Sequence, residues 1–270
     1  LITYSQDILQ WSAFKGTRTA NDGISPEGIQ NAGSFVENTA NDRHRLNANY
    51  ISYTSGNTYT VSLFAKIKSG SRLLCINANS AFNARAYFNL VNGTVAGTDS
   101  GIANIQAYPN GWYRCSITGT ATSTSTMTTF FGLEDGTSDS GYQGDGTSGH
   151  FYYGLQIEAG SYPTSLIHTS GSAVTRSADA ANNAGNSDLF NDSEGVLYCE
   201  IKATANDSSQ RRITISDGSL NNRIGIEYTS SSNQIRGRVT DGGSGQADMT
   251  YTAIDITEYL KIAVKYKACL

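Results

Sequence analysis

Apolar residues in this chain recur at every second position in short runs, and nowhere keep a helical period for more than a turn or two. The clearest run is Thr58–Lys68, TYTVSLFAKIK. There Tyr59, Val61, Leu63 and Ala65 alternate with Thr60, Ser62 and Phe64, behind the turn signal Ser55-Gly56-Asn57. Further runs follow at Arg72–Asn77, Ala84–Leu90, Gly111–Thr118 and Met127–Leu133, with an Asn92-Gly93 hairpin signal after the second of these. A polar Gly/Ser/Asp loop from Asp135 then feeds a strand at His150–Ile157, which closes on Pro163 and the pair Leu166-Ile167. With period two, Phe151, Tyr153, Leu155 and Ile157 share one face of that strand, and Tyr152, Gly154 and Gln156 the other. Short strands with turns between them predict an all-β fold, a jelly-roll β-sandwich.

Around the strands, Leu1–Trp11 reads as a short strand running into a turn, and Asn41-Asp42-Arg43-His44-Arg45 as a charged, exposed connection. After Thr169 the composition changes. Residues 170–188 are small and polar and read as a linker between a first domain, 1–169, and a second, 189–270. Strands resume at Gly195–Ala203, Arg211–Asp217, Arg223–Tyr228, Gln234–Thr240 and Leu260–Tyr266. This second β-region is shorter than a complete sandwich, so it is expected to be an incomplete one.

Composition narrows the function classes. The chain has 270 residues, 28 Gly, 3 Pro and 16 Tyr, with 16% charged residues, which suits a turn-rich β protein. A formal net charge of −4 argues against a phosphate-backbone ligand, so no nucleic acid is expected. No apolar run has the length of a membrane span, so no insertion is expected. No leader pattern precedes the first strand, and the true N-terminus is expected upstream of Leu1. Cys75, Cys115, Cys199 and Cys269 match no metal-ligand spacing. The first three lie in apolar strand patterns and are expected as buried free thiols, with a Cys75–Cys115 disulfide as the alternative, and the usage suggests folding in a reducing cytosol.

Strand parity selects the candidate site. If Tyr113, Cys115 and Ile117 face the core, Trp112, Arg114 and Ser116 face outward. Likewise Ala86, Phe88 and Leu90 go inward, and Arg85, Tyr87 and Asn89 outward. With Tyr152 and Gln156 from the last strand, the ligand-binding set is Arg85, Tyr87, Trp112, Arg114, Tyr152 and Gln156. Aromatic faces rimmed by planar donors suit the apolar faces and hydroxyl fringes of sugar rings. The competing reading is that these side chains pack against a neighbouring sheet, domain or subunit. No cofactor is expected. A structural Ca²⁺ is conceivable among Asp135–Asp145 or around Asp207 and Asp217, although neither stretch has a calcium-loop spacing. The histidines His44, His150 and His168 lack a nucleophile partner, and adjacent Glu134 and Asp135 would point to opposite faces of a strand, so no enzyme is expected.

The opening LITYSQDILQW and the blocks SGNTYTVSLFAKIKSG, YFNLVNGTVAG, NGWYRCSITGTAT and GDGTSGHFYYGLQIEAGSYPTSLIHTSGSAVTRSAD resemble, in order, carbohydrate-binding-module-like domains on bacteriophage tail fibres and related appendages. The region from Leu189, LFNDSEGVLYCEIKA and then RRITISDGSLNNRIGIEY, resembles the first half of a concanavalin A-like, laminin-G-like sandwich. The resemblance implies a non-catalytic virion protein: a tail-fibre, appendage or capsid-decoration module assembled in the host cytoplasm and acting extracellularly. Its implied partners are other virion subunits, further copies of itself in a trimer, and a cell-surface glycan. Two alternatives stay open: a carbohydrate-binding module of a secreted polysaccharide-degrading enzyme, and a purely structural virion subunit without a glycan.

Overall fold

The structure, a computed structural model, describes residues 1–175, 191, 193–252 and 254–267. Most of the expected linker, and Cys269, lie outside the described residues. The chain divides into two compact units, Leu1–Ser177 and Ala178–Leu270.

In the first unit the strands are, in order, β1 (Ser12–Phe14), β2 (Gly16–Ile24), β3 (Gln30–Glu37), β4 (Asn41–Asp42), β5 (His44–Asn47), β6 (Ile51–Tyr53), β7 (Thr58–Ser69) and β8 (Leu73–Asn77). They continue as β9 (Arg85–Asn89), β10 (Thr94–Ser100), β11 (Ile102–Tyr108), β12 (Trp112–Thr120), β13 (Ser125–Met127), β14 (Phe130–Glu134), β15 (Tyr142–Gln143) and β16 (Gly149–Ala159). Two six-stranded antiparallel sheets form the sandwich. The first runs β1-β5-β14-β8-β9-β10 and the second β11-β12-β7-β16-β3-β2. Their facing sides bury one core that includes Leu46, Leu74, Ile76, Phe88, Phe131 and Leu133 from the first sheet. The second sheet adds Phe35, Val61, Leu63, Cys115, Ile117, Leu155 and Ile157. The fold is therefore an all-β jelly-roll sandwich.

Parity fails within β16, and Gly154 is the cause. The register of β16 on β7 shifts between Tyr153 and Gln156, and Gly154 sits in the left-handed region at φ 62°. This is a β-bulge: the extra residue flips the alternation of everything before it relative to everything after it. Tyr152, Leu155 and Ile157 thus face the core, while Phe151, Tyr153 and Gln156 face away from it. The expectation that Tyr152 points outward is overturned. So is the exposed connection at 41–45, because Asn41-Asp42 pairs with β15 and His44, 1% exposed, begins β5, which is hydrogen-bonded on both sides in the first sheet. The start of the chain is also less regular than expected. Tyr4 makes a lone bridge to Ser170, and a short 3₁₀ turn at Ile8–Gln10 is capped by Asp7, which accepts from the Leu9 N–H at 3.0 Å. Cys75 and Cys115 are free, on opposite sheets, and Cys199 is free as well.

The second unit continues with β17 (Glu194–Ile201), β18 (Arg211–Ser216), β19 (Arg223–Tyr228), β20 (Gln234–Asp241), β21 (Ser244–Thr252) and β22 (Leu260–Lys267). A β17-β22 ribbon packs Leu197, Cys199, Ile201, Ile262 and Val264 against Ile224, Ile226, Tyr228 and Ile235 of a four-stranded sheet, β18-β19-β20-β21. Ile213, Met249 and Tyr251 pair across from inward residues yet stay 44%, 51% and 66% exposed. The ribbon covers the middle of the sheet and not its flanks, which is a partial sandwich.

Candidate functional site

The outer face of the first sheet carries two side-chain files that cross all six strands. In one, Ser12, Asn47, Phe130, Asn77, Arg85 and Ser100 are successive register partners. In the next, the partners are Phe14, Arg45, Gly132, Cys75, Tyr87 and Gly97. On the first five strands each member is outward because a chain neighbour is buried in the core or packed against it, for example Leu46, Phe131, Ile76 and Ala86, and on β10 the placement follows from its pairing with β9. With strands about 4.8 Å apart, six members span roughly 24 Å. The second file is low in its middle, where Gly132 and Cys75 have no side chain or a small one, and again at its end at Gly97, beyond Tyr87. At one end the Arg45 guanidinium lies 4.1 Å from the Phe130 ring centre and 5.7 Å from that of Phe14, which is itself solvent-exposed. Aromatic and guanidinium planes in such contact form a flat, partly apolar surface edged by amides.

The loop between β14 and β15 lies across the other end. Ser140 N–H bonds to the Ser138 carbonyl at 2.7 Å, a three-residue turn with Asp139 at its apex. Asp139 is held by three side chains. Arg43 Nε is 3.1 Å from Oδ1, Asn77 Nδ2 is 2.7 Å from Oδ2, and Arg85 reaches Oδ2 at 3.4 Å. Arg43 also donates to the Asp139 carbonyl at 2.8 and 3.2 Å. Beside it, Asp99 Oδ2 accepts from Arg85 Nε at 2.6 Å and from the Tyr87 hydroxyl at 3.0 Å. Burial, together with the nearby Cys75 and the hydrogen bond to Asp99, raises the Tyr87 hydroxyl above its ordinary pKa. Under the loop, Glu134 is 4% exposed and its Oε2 has no hydrogen-bond partner. Burial first, then Asp139 and Asp135, push its pKa up to about 8, against the opposing pull of Arg43 and Arg45. Burial likewise pushes the Cys75 thiol up, which leaves it an inert apolar floor.

The six residues expected at the site therefore separate. Arg85 and Tyr87 are on this outer face as parity required, but Tyr87 is fully covered rather than exposed. Trp112, Arg114 and Gln156 lie on the outer face of the other sheet, and they are not a platform either. Trp112 is 1% exposed, packed with Ala32, Phe64 and Tyr153, and donates its Nε1–H to the Ile24 carbonyl at 3.1 Å. Arg114 donates to the Thr164 carbonyl at 2.6 Å and to Ser62 Oγ at 3.0 Å. Gln156, 6% exposed, accepts from the Ile167 N–H at 2.9 Å. The chain leaving β16 thus folds back over that face, and these polar groups pin it there. Tyr152 is in the core. Parity alone overlooked Asn47, Phe130 and Asn77, although HRLN, FFGLE and LLCIN carry the same alternation that located Arg85. Arg43 and Asp139 had no strand-period signal.

Among the described residues, no group of three or more His, Cys, Asp or Glu side chains is placed to hold a metal. Asp145 is consumed by its own turn: it accepts from the N–H groups of Thr147 and Ser148, both at 2.7 Å, and from both hydroxyls, which holds its carboxyl far below the usual range. Asp207 pairs with Arg211 at 2.8 Å, and Asp217 accepts from Asn222 at 2.7 Å and Ser219 N–H at 2.9 Å.

No protein-family model matches the chain, and no curated protein matches it at a significant level. Solved structures that align with it include three at a TM-score of 0.34. The CBM22-1–GH10 modules of a Clostridium thermocellum endo-1,4-β-D-xylanase 10B, complexed with xylohexaose, share 14% identity over 63% of this chain and 29% of that one. The CBM22-1 xylan-binding domain of Paenibacillus barcinonensis Xyn10C shares 14% over 59% of this chain and 94% of that one. The CBM22-1–CBM22-2 tandem of the same enzyme shares 12% over 98% and 84%. The chain thus spans 29% of the length of the first of these. All three contain carbohydrate-binding modules. At this level the likeness is loose, and the site rests on the geometry of this chain.

Proposed function

We propose that the first unit is a non-catalytic glycan-binding module whose ligand lies along the outer face of the first sheet. The observation that carries the reading is the file Ser12–Asn47–Phe130–Asn77–Arg85–Ser100. It sets one hydrogen-bonding or aromatic group per strand, a spacing close to the repeat of a β-linked pyranose chain. Amides and a guanidinium engage vicinal hydroxyls, and Phe130, backed by Arg45 and Phe14, stacks on a sugar face. In this structure the Glu134 carboxyl is buried and Asp99 and Asp139 are both ion-paired, which favours a binding role over a catalytic one.

The finer part of the proposal is that the chain is a bacteriophage virion component, a tail-fibre, appendage or capsid-decoration module. It would meet a cell-surface glycan outside the host and assemble with other virion subunits as a homotrimer. The ordered run of sequence blocks from LITYSQDILQW to GSAVTRSAD supports it.

The test is a glycan array probed with the full chain, alongside Phe130→Ala and Arg85→Ala. Binding that both variants weaken about tenfold or more, with unfolding curves like the parent's, is the expected result; each tenfold corresponds to about 1.4 kcal/mol. Binding that survives both substitutions moves the site elsewhere, and a folded protein that binds nothing overturns the reading. Sedimentation equilibrium checks the assembly, with three chains per particle expected.

A further inference from the structure

The Asp139 cradle has the features of a carboxylate receptor filled by the protein itself. Two arginines and an amide converge on one carboxylate: Arg43 on Oδ1, Asn77 and Arg85 on Oδ2. Each arginine sets one N–H on one oxygen, and with the amide they meet both oxygens with hydrogen bonds that the charges strengthen. The occupant arrives on a short loop and not on a strand. Its apex turn is flanked by Gly136 and Gly141, and at Gly136 an added side chain would meet nothing within 4 Å. The cradle also opens outward: the Arg43 and Arg85 side chains are 42% and 26% exposed, while the carboxylate they hold is 13% exposed. Asn77 and Arg85 are two members of the file described above, so the cradle lies on the path of the ligand and not beside it.

We propose that Asp139 stands in for a carboxylate of the ligand, and that the module's ligand class is an acidic, uronate-containing polysaccharide. On arrival one sugar carboxylate replaces Asp139 between Arg43, Asn77 and Arg85. The loop swings off the low positions at Gly132 and Cys75, and the remaining sugars settle along Phe130 and Asn47. This inference rests on the glycan-binding reading of the same face.

The experiment is the full chain, as parent, Asp139→Asn and Asp139→Ala, on an array of carboxylated polymers (polygalacturonate, alginate, hyaluronan) and neutral ones (xylan, dextran, mannan), with sulfated dextran as a third class. Asp139→Asn keeps the size of the side chain and removes its charge, and so covers the case in which the alanine variant does not fold. The expected result is binding confined to carboxylated polymers, tightened about tenfold or more in Asp139→Asn and lost in Asp139→Asn combined with Arg85→Ala. Binding confined to neutral polymers, or to sulfated dextran, overturns the uronate inference and leaves the glycan-binding reading standing. Carboxylated binding that Asp139→Asn leaves unchanged or weakens also overturns it, since Asp139 is then no competitor. A folded protein that binds no polymer overturns both.

Discussion

Glu134→Gln separates a buried, protonated carboxyl from a merely crowded one. In the unfolded chain Glu134 ionises at its ordinary 4.5, and in the folded protein at about 8. A carboxyl whose folded value is raised keeps its full contribution to stability below the unfolded value and loses it as the pH rises toward the folded one. At pH 4.5 the loss in the parent is under about 0.5 kcal/mol. At pH 7 it covers roughly the 2.5 pH units above 4.5, or about 3 kcal/mol at roughly 1.36 kcal/mol per unit. By pH 9 the full difference between 4.5 and 8 is spent, about 5 kcal/mol. The amide that replaces the carboxyl in the variant has no proton to lose. It costs something constant in a pocket where one oxygen already lacks a partner, but that offset does not depend on pH. The stability difference, variant minus parent, should therefore climb by about 3 kcal/mol from pH 4.5 to 7 and by about 1–2 more by pH 9. Urea unfolding followed by tryptophan emission reads this directly, because the chain's two tryptophans, Trp11 and Trp112, are both buried in the first unit. Ionisations of groups that do not interact with Glu134 are common to both proteins and cancel in the difference. Parallel curves across that range would refute the reasoning, since Glu134 would then ionise alike in both states.

Three other outcomes are expected from the same unit. His150, fully buried with Nε2 3.0 Å from the Arg72 carbonyl, is held down to about pKa 4 by desolvation, so its contribution is present above 6.5 and lost as pH falls toward 4. Between pH 6.5 and 4 the parent should lose up to about 3 kcal/mol that His150→Gln does not lose, as read from urea midpoints; equal acid limbs would contradict this. Gly154→Ala places a Cβ 2.7 Å from Leu166 at a left-handed backbone position and should cost about 2 kcal/mol in unfolding free energy, against no measurable loss for Gly136→Ala. Trp112→Ala should lower stability by roughly 3–5 kcal/mol while the variant, at a temperature where it is folded, keeps parental affinity on the array; a selective loss of binding would return Trp112 to the site.

Much of the fold was legible because a strand with one buried side writes its alternation plainly. Thr58–Ser69 and Trp112–Thr120 show it, and the orientation of Arg85 and Tyr87 followed from the core residues beside them, Ala86 and Phe88. The strands that went unread, Gly16–Ile24, Gln30–Glu37, Thr94–Ser100 and Ile102–Tyr108, either lie toward sheet edges or are rich in Gly, Asn and small residues, so burial leaves a faint imprint on them. Tyr152 went wrong for a different reason. A single bulge inverts parity, and its only trace in the sequence is a glycine, a residue with many other uses.

Facing outward and being reachable are separate properties, and the sequence carries only the first. Arg114, Gln156 and Tyr87 all face away from the core, yet each is under a segment that is irregular in structure: the return past Thr164 for the first two, the loop at Asp139 for the third. Which segment lies over which face depends on long-range contacts such as Arg43 with Asp139, 96 residues apart, and no local period encodes them. The two covers also differ in kind. The return segment brings Leu166 into an apolar layer with Phe64 and Tyr153 and ties down the Ile167 amide, so lifting it exposes hydrophobic surface and breaks backbone hydrogen bonds. The Asp139 loop is held by three contacts to its carboxylate and two from Arg43 to its carbonyl, and the proposed carboxylate ligand would replace the first three. The proposed ligand therefore belongs under the Asp139 loop and not under the return segment, whose cover is apolar.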